Sequence, residues 1–248
     1  MKKKIVAIIQ ARMGSTRLPG KSMKLIMGKP MLYYQLLQVR RSKKIDQIVL
    51  ATTTLKKDRT IINFCKKNKI EYFAGDEKNV LKRYFFASLK YKADIIVRLT
   101  SDCPLIDPKI IDKGIGIFEK GKYHYVANTC PIAGATYPDG MDVEIFDFFS
   151  LSNAHLKCKD KNQKEHVTHF FWKKKNGFKI FRFDLKSNCR SYRLTVDYIE
   201  DFVLIKKIIC FFRKKKMLIS CNNIIKFMKK NKKIAKINSL RNKEYKEI

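Results

Sequence analysis

Lys4-Ile-Val-Ala-Ile-Ile9 runs directly into Gln10-Ala-Arg-Met-Gly-Ser-Thr-Arg-Leu-Pro-Gly-Lys21, and this stretch decides the fold class. The β-branched apolar run predicts a buried strand. The loop after it holds two glycines, three cations and two hydroxyls. Open α/β sheets bind ligands at the carboxyl ends of their strands, and backbone N–H groups beside glycine can approach an anion. The stretch therefore predicts a phosphate-binding loop at the edge of an α/β sheet.

Within this loop, Gly14 and Gly20 leave room for an anion, and Arg12, Arg17 and Lys21 supply positive charge to neutralise it. The spacing does not match the G-x-x-x-x-G-K-[ST] phosphate loop or the G-x-G-x-x-G dinucleotide motif. A basic surface turn is the alternative interpretation.

The rest of the chain alternates short β-branched runs with longer amphipathic stretches, which predicts a mostly parallel central sheet flanked by helices. The predicted strands are 4–9, 47–52, 71–74, 94–100, 123–128, 143–146, 178–183 and 193–196. The predicted helices are 30–41, 58–68, 79–91, 108–119, 148–157, 167–172 and a C-terminal helix from Ile199. We expect one α/β domain over 1–240, with a small insertion and a helical C-terminal tail, followed by a polar tail at 241–248.

Composition limits the class of protein. The first apolar run is too short for a signal segment or a membrane span, so we expect a cytoplasmic protein without a membrane span. The seven cysteines have no C-x-x-C pair, which favours reduced, mostly buried thiols. A net charge of +33 by itself favours a nucleic-acid partner. Because the lysines occur throughout the chain without a nucleic-acid-binding motif, we interpret them as solvated faces and expect no nucleic acid.

Two aspartates follow apolar β-type runs at distant points of the chain. Asp102 comes after Ile95-Ile-Val-Arg-Leu-Thr100, and Asp197 comes after Arg193-Leu-Thr-Val196. If the fold brings them together, they could hold Mg²⁺ between a triphosphate and an attacking hydroxyl. Each alone could equally be a helix cap.

Five ordered motifs carry a family resemblance: Ala11 to Lys21, T-S-D-C-P-L-I-D-P from Thr100, P-D-G-M-D-V-E from Pro138, K-E-H-V-T from Lys164 and L-T-V-D-Y-I-E-D from Leu194. Together they resemble the cytidylyltransferases of the spore-coat polysaccharide type, which are similar to the synthetases of CMP-ketodeoxyoctonate and CMP-sialic acid. The resemblance extends to about Asn238. The sequence departs from the family pattern at Ser101, where glycine is usual, and at Ile199, where proline is usual.

The resemblance implies a nucleotide-diphospho-sugar transferase-like (Rossmann-like) fold, CTP and a small sugar as substrates, Mg²⁺ as cofactor and a homodimer. It implies catalytic roles for Arg12, Lys21, Asp102 and Asp197, the two aspartates being the metal ligands. The nucleotide-binding residues that it implies are Gln10, Ala11, Arg12, Gly14, Ser15, Arg17, Lys21 and Arg83. The expected sugar-binding residues are Asp139, Asp142, Glu144, Glu165 and His166.

The expected reaction is an in-line displacement in which a sugar hydroxyl attacks the α-phosphorus of CTP and pyrophosphate leaves. Two alternatives stay open at this point. One is a nucleotidyltransferase that uses another triphosphate on a sugar phosphate or small alcohol, and the other is a noncatalytic, basic nucleic-acid-binding protein. For the acids at 138–144, a solvated hairpin turn is an equal alternative.

Overall fold

A computed structural model describes residues 2–131 and 133–241 as a mixed α/β structure around one seven-stranded sheet. The strands of this sheet are β1 (Ile5–Gln10), β4 (Gln47–Thr53), β5 (Glu71–Gly75), β6 (Ile95–Thr100), β7 (Tyr125–Ala127), β8 (Glu144–Asp147) and β9 (Ile180–Arg182). A separate two-stranded hairpin consists of β2 (Leu25–Ile26) and β3 (Lys29–Pro30).

The sheet order is β5-β4-β1-β6-β8-β7-β9. Strands β5, β4, β1 and β6 are parallel, whereas β8 runs antiparallel to both of its neighbours. Strand β9 pairs parallel with β7. The predicted mostly parallel sheet is confirmed, and the carboxyl ends of β1 and β6 lie side by side, with Gln10 opposite Thr100.

The helices are α1 (Met31–Val39), α2 (Arg59–Lys67), α3 (Val80–Lys90), α4 (Pro108–Lys120), α5 (Phe148–Lys157), α6 (Lys161–His166), α7 (His169–Trp172), α8 (Ile199–Lys214), α9 (Cys221–Lys230) and α10 (Lys232–Ala235). Five of these helices, α3, α4, α5, α6 and α9, start at a capping side chain. In α4, for example, Asp107 accepts from Lys109 N at 2.9 Å, and Pro108 occupies the first turn.

The sheet separates two hydrophobic cores, because successive residues of a strand point to opposite faces. In β1, Ile5, Ala7 and Ile9 belong to one core, and Val6 and Ile8 belong to the other. Helices α1, α4, α8 and α9 contribute to the first core, and α3 and α5 contribute to the second. All seven cysteines are free and five are buried, as expected.

Two predicted elements are wrong. The segment 193–196 is not a strand, because only an isolated bridge joins Arg193 to Asp139. The predicted helix 167–172 is interrupted at its first residues: α6 ends at His166, Val167 has a φ of 55°, and α7 begins at His169. A β-branched residue in this conformation is strained and ends the helix.

Within the described ranges, no helix is both long and apolar enough to cross a membrane. Most of the expected polar tail, residues 242–248, lies outside the described residues.

Candidate active site

A cleft of about 320 Å³ opens at the carboxyl ends of β1 and β6. Open α/β sheets bind ligands at this edge. Most of the residues predicted to bind nucleotide, metal or sugar line it: Gln10, Ala11, Arg12, Ser15, Arg17, Lys21, Arg83, Asp102, Glu165, His166 and Asp197. Gly14 is outside the lining, and a Cβ at that position would lie only 2.6 Å from Lys57 Nζ.

Lys21 is at the centre of the polar end of this cleft. Its ammonium donates to Asp102 Oδ2 at 3.1 Å and to Asp197 Oδ1 at 3.0 Å. The two aspartates are 95 positions apart in the sequence. Backbone hydrogen bonds join the segments that carry them, since Val196 N donates to Asp102 O at 2.9 Å. The predicted convergence of Asp102 and Asp197 beside the phosphate loop is therefore confirmed.

The charges in this group stabilise one another. Burial is the largest single effect on the pKa of the Asp102 carboxyl and would raise it, but the charge of Lys21 and hydrogen bonds from Thr100 and Lys21 together lower the pKa to about 2. Burial would likewise lower the pKa of Lys21, but Asp102 and Asp197 raise it overall. At neutral pH the Lys21 ammonium is therefore paired with an ionised Asp102.

Asp197 is held from behind by the buried Arg193. The Arg193 guanidinium contacts Asp197 Oδ2 at 2.7 Å, Asp139 Oδ2 at 2.9 Å and Asp201 Oδ1 at 3.1 Å. Arg17 approaches Asp197 from the cleft side, at 2.7 Å. The side chain of Asp197 is only 5% exposed, whereas that of Asp102 is 27% exposed. Asp197 is thus both a cleft residue and part of a buried ion-pair network.

Neither of these two aspartates caps a helix. The cap of α4 is Asp107, and Asp201 accepts the backbone N–H groups of Asp197 and Tyr198 at the start of α8. The helix-cap interpretation of Asp102 and Asp197 is therefore excluded by the positions of the real capping groups.

Arg83 is a buried cation on the cleft wall. It is 2% exposed, and its Nη1 donates to the carbonyl of Asp76 at 2.6 Å. Its Nε is buried and has no hydrogen-bond partner among the described residues. Burial is the main cause that lowers the pKa of Arg83. A buried guanidinium in this state is suited to an anionic ligand.

Glu165 and His166 reach the cleft from the last turn of α6. Glu165 lies 3.9 Å from Arg12, across the cleft mouth. The rings of His166 and His169 stack at 4.6 Å, and burial lowers the pKa of both, to about 4 for His169. These histidines are therefore neutral at pH 7, which suits hydrogen bonding to a neutral group.

The acids of the 138–144 segment lie behind the cleft and do not line it. Asp139 pairs with Arg193, Asp142 accepts from Gly140 N at 3.1 Å, and Glu144 pairs with Arg98. Gly140 has a φ of 93°, and a Cβ there would lie 2.3 Å from the backbone of residues 194 and 195. The segment is therefore not a solvated hairpin turn, and its role in binding sugar hydroxyls stays a prediction.

Five residues that the sequence analysis did not single out as ligand-binding also line the cleft: Thr16, Val80, Arg98, Thr100 and Ser101. Arg98 could have been found from the sequence, because it is the one charged residue in the apolar run 95–100.

Of the two departures from the family pattern, Ser101 is buried, and its hydroxyl forms a hydrogen bond of 2.8 Å with that of Ser22. Ile199 is half exposed in the first turn of α8, where proline would also fit.

A loop of cations at the end of β1, facing two acids of different chain segments, defines a nucleotidyltransferase of the α/β class. The profile of the cytidylyltransferase family matches residues 6–247, so the chain belongs to that family and is a CTP-dependent nucleotidyltransferase.

Relatives support this assignment. The spore coat polysaccharide biosynthesis protein SpsF of Bacillus subtilis is 32% identical over 82% of this chain and 85% of its own length. The structure of a cytidylyltransferase from Leptospira borgpetersenii is 34% identical and superposes with a TM-score of 0.87, covering 94% of this chain and 97% of that one. The 3-deoxy-manno-octulosonate cytidylyltransferase of Geobacter sulfurreducens is 33% identical over 45% of this chain and 44% of its length.

Proposed function

We propose that the enzyme transfers CMP from CTP to a sugar, specifically a keto-deoxy acid sugar, with release of pyrophosphate, for the synthesis of a surface polysaccharide or glycan. The family assignment supports the CTP part of this proposal. The names of the relatives support the acceptor and the pathway: one acts in spore coat polysaccharide biosynthesis and another on 3-deoxy-manno-octulosonate.

The observation that carries the proposal is the meeting of Lys21, Asp102 and Asp197 in the cleft. In phosphoryl transfer the protein itself does little covalent chemistry. Its contribution to catalysis comes mainly from positioning the substrates and stabilising charge. A cleft lined by arginines, a lysine and two acids supplies the charged groups that such catalysis needs.

Each group of residues has a role in the proposed reaction. Arg12, Arg17 and Lys21 bind the triphosphate from the loop side, and Arg83 binds it from the wall of α3. Lys21 also keeps Asp102 and Asp197 from repelling each other, which holds both carboxylates in place. As pyrophosphate leaves, these cations stabilise the negative charge that develops on it.

Asp102 and Asp197 would also hold Mg²⁺. Their oxygen ligands fit this ion, which proteins often bind through one or two carboxylates completed by substrate phosphates. The described residues contain no cluster of three or more His, Cys, Asp or Glu side chains placed to hold a metal. Bound there, Mg²⁺ would act as a Lewis acid on the phosphate oxygens.

The test is pyrophosphate release with each of the four nucleoside triphosphates, Mg²⁺ and a panel of keto-deoxy acid sugars and neutral sugars. We expect turnover with CTP and a keto-deoxy acid. Equal turnover with GTP would contradict the base preference. Absence of pyrophosphate with every triphosphate, together with steeply salt-dependent binding to random DNA, would instead favour a nucleic-acid-binding protein.

A further inference from the structure

A second arginine of the cleft has a hydrogen-bonding group without a partner among the described residues. Arg98 projects from β6, its side chain is 11% exposed, and it lines the cleft. Its Nη1 donates to Glu144 Oε1 on the neighbouring antiparallel strand β8. Its Nε is buried and has no partner among the described residues.

Arg98 is held rigidly by its surroundings. Glu144 is itself fixed by the hydroxyl of Tyr125, which donates to Glu144 Oε2 at 2.7 Å. The guanidinium also lies over the ring of Tyr84, with 5.9 Å between its carbon and the ring centroid. A guanidinium that is fixed in orientation loses little entropy when a ligand binds to it.

The contact with Glu144 leaves the Nε–Nη2 side of the guanidinium for a ligand. This edge presents two parallel N–H groups, the pattern that matches the two oxygens of a carboxylate. A buried N–H without a partner costs about 1–3 kcal/mol, so the native cleft gains when a ligand accepts from it.

Arg98 is carried by a different element from the loop cations. The loop cations follow β1, whereas Arg98 is on β6, opposite Glu144 of the antiparallel strand β8, and lines the same cleft as His166. Both Arg98 and Glu144 act electrostatically on His166. Because Glu144 already supplies one negative charge, a singly charged group suits this point better than a multiply charged phosphate.

We propose that Arg98, positioned by Glu144 and Tyr125, binds the carboxylate of the acceptor sugar and thereby selects sugar acids over neutral sugars. This inference rests on the proposed function and adds to it the residue that recognises the acceptor sugar.

The experiment measures binding of two probes to the wild-type protein in the presence of CMP: 3-deoxy-manno-octulosonate and its methyl ester, which lacks the charge. The same titrations are made with Arg98→Lys, which keeps the positive charge beside Glu144 but removes the two parallel N–H donors of the guanidinium. Arg182→Lys is the matched control, since Arg182 also pairs with an acid, Asp184, but lies outside the cleft. CTP affinity and melting temperature are measured for every protein.

We expect the wild type to bind the acid at least about tenfold more tightly than the ester, and Arg98→Lys to lose that preference. CTP affinity should stay within about twofold in both variants, and Arg182→Lys should bind both probes as the wild type does. The comparison of acid with ester in the wild type needs no variant, so it decides the question even if Arg98→Lys folds poorly.

Equal affinity of the wild type for acid and ester would overturn the inference. So would a loss of CTP affinity in Arg98→Lys without loss of acid affinity, because Arg98 would then be a phosphate ligand. Arg98-dependent binding of the acid without CMP transfer would refute the proposed reaction but not this inference. CMP transfer to a neutral sugar alone would refute the inference and leave the CTP-dependent activity intact.

Discussion

The phosphate loop 10–21 and the segment 138–144 are both dense in charge, yet the structure uses them in opposite ways. The loop's cations face the cleft, where Arg12, Arg17 and Lys21 line the wall. The segment's acids face inward, towards Arg193 and Arg98. The loop cations also pair with acids, since Lys21 contacts Asp102 and Arg17 contacts Asp197, but these pairs lie in the cleft. Charge density in a sequence therefore marks a site only when the fold places the charged groups at the cleft.

The largest expected effect comes from the two acids that meet Lys21. Replacing Asp102 or Asp197 with Asn keeps the shape and removes the charge, which should lower turnover on the order of a hundredfold or more, about 2.7 kcal/mol at the barrier. Steady-state turnover across a Mg²⁺ titration measures this effect. Near-normal turnover of both variants would remove these aspartates from the mechanism.

Stability should distinguish the same two variants. Asp197→Asn weakens a buried contact with Arg193, so we expect a loss of about 2 kcal/mol. Asp102 is more exposed than Asp197, and Lys21 keeps its bond to Asp197, so Asp102→Asn should cost less than Asp197→Asn. The sequence alone predicts little loss for both. Thermal melts that show equal losses would contradict the role assigned to Arg193.

Changes on the loop should act mainly on the triphosphate. Lys21→Ala and Arg12→Ala should raise the KM for CTP, by about tenfold for each lost charge-assisted contact, and slow turnover. Arg12 is 40% exposed, so its variant should fold normally. If both variants keep wild-type kinetics, the loop is a basic surface turn.

A change in the 138–144 segment tests the other half of the comparison. Asp142 lies outside the cleft lining, so Asp142→Asn should leave the KM for the acceptor within about twofold. The measurement is initial rates against acceptor concentration at saturating CTP. A tenfold rise in that KM with an unchanged melting temperature would restore the sugar-clamp role predicted from the sequence.

A further expected effect is a pH dependence of stability from Asp139. Burial and the neighbouring Asp142 raise the pKa of Asp139 to about 7, above the ordinary value of 3.8. The folded state therefore binds this proton more tightly than the unfolded state does. The resulting stabilisation is complete below about pH 4 and is lost as the pH rises through about 7.

Asp139→Asn keeps a neutral side chain at every pH, so its melting temperature relative to the wild type should rise between pH 5 and pH 8. Melting curves of both proteins at four or five pH values measure this difference. Parallel curves would mean that Asp139 stays ionised in its pair with Arg193.

Elements that depend on consecutive residues could be predicted from the sequence, whereas elements that depend on contacts with distant residues could not. The strands β1, β4, β5 and β6 lie within a residue or two of their predicted positions, because short β-branched runs are local signals. The segment 193–196 has the same local pattern, but it forms only an isolated bridge to Asp139, which itself belongs to no strand. The break at Val167 also has no local signal, because the backbone conformation there is set by packing.

The residues of the candidate site also fall into those that the sequence predicted and those whose role depends on tertiary contacts. The loop residues and the two aspartates were predictable, since each follows an apolar run that delivers it to one edge of a sheet. Arg98 stood out in its strand, but its role depends on Glu144 and Tyr125, which reach it from two other strands.

By itself, the sequence determined the α/β class, the phosphate loop and the acids that meet it, because strand periodicity and loop composition are written in consecutive residues. Only the tertiary structure decided which charges face the ligand. Whether a carboxylate binds substrate or an internal arginine depends on which arginine the fold places beside it. For Asp139 and Glu144 those arginines are Arg193 and Arg98, each more than forty positions away in the chain.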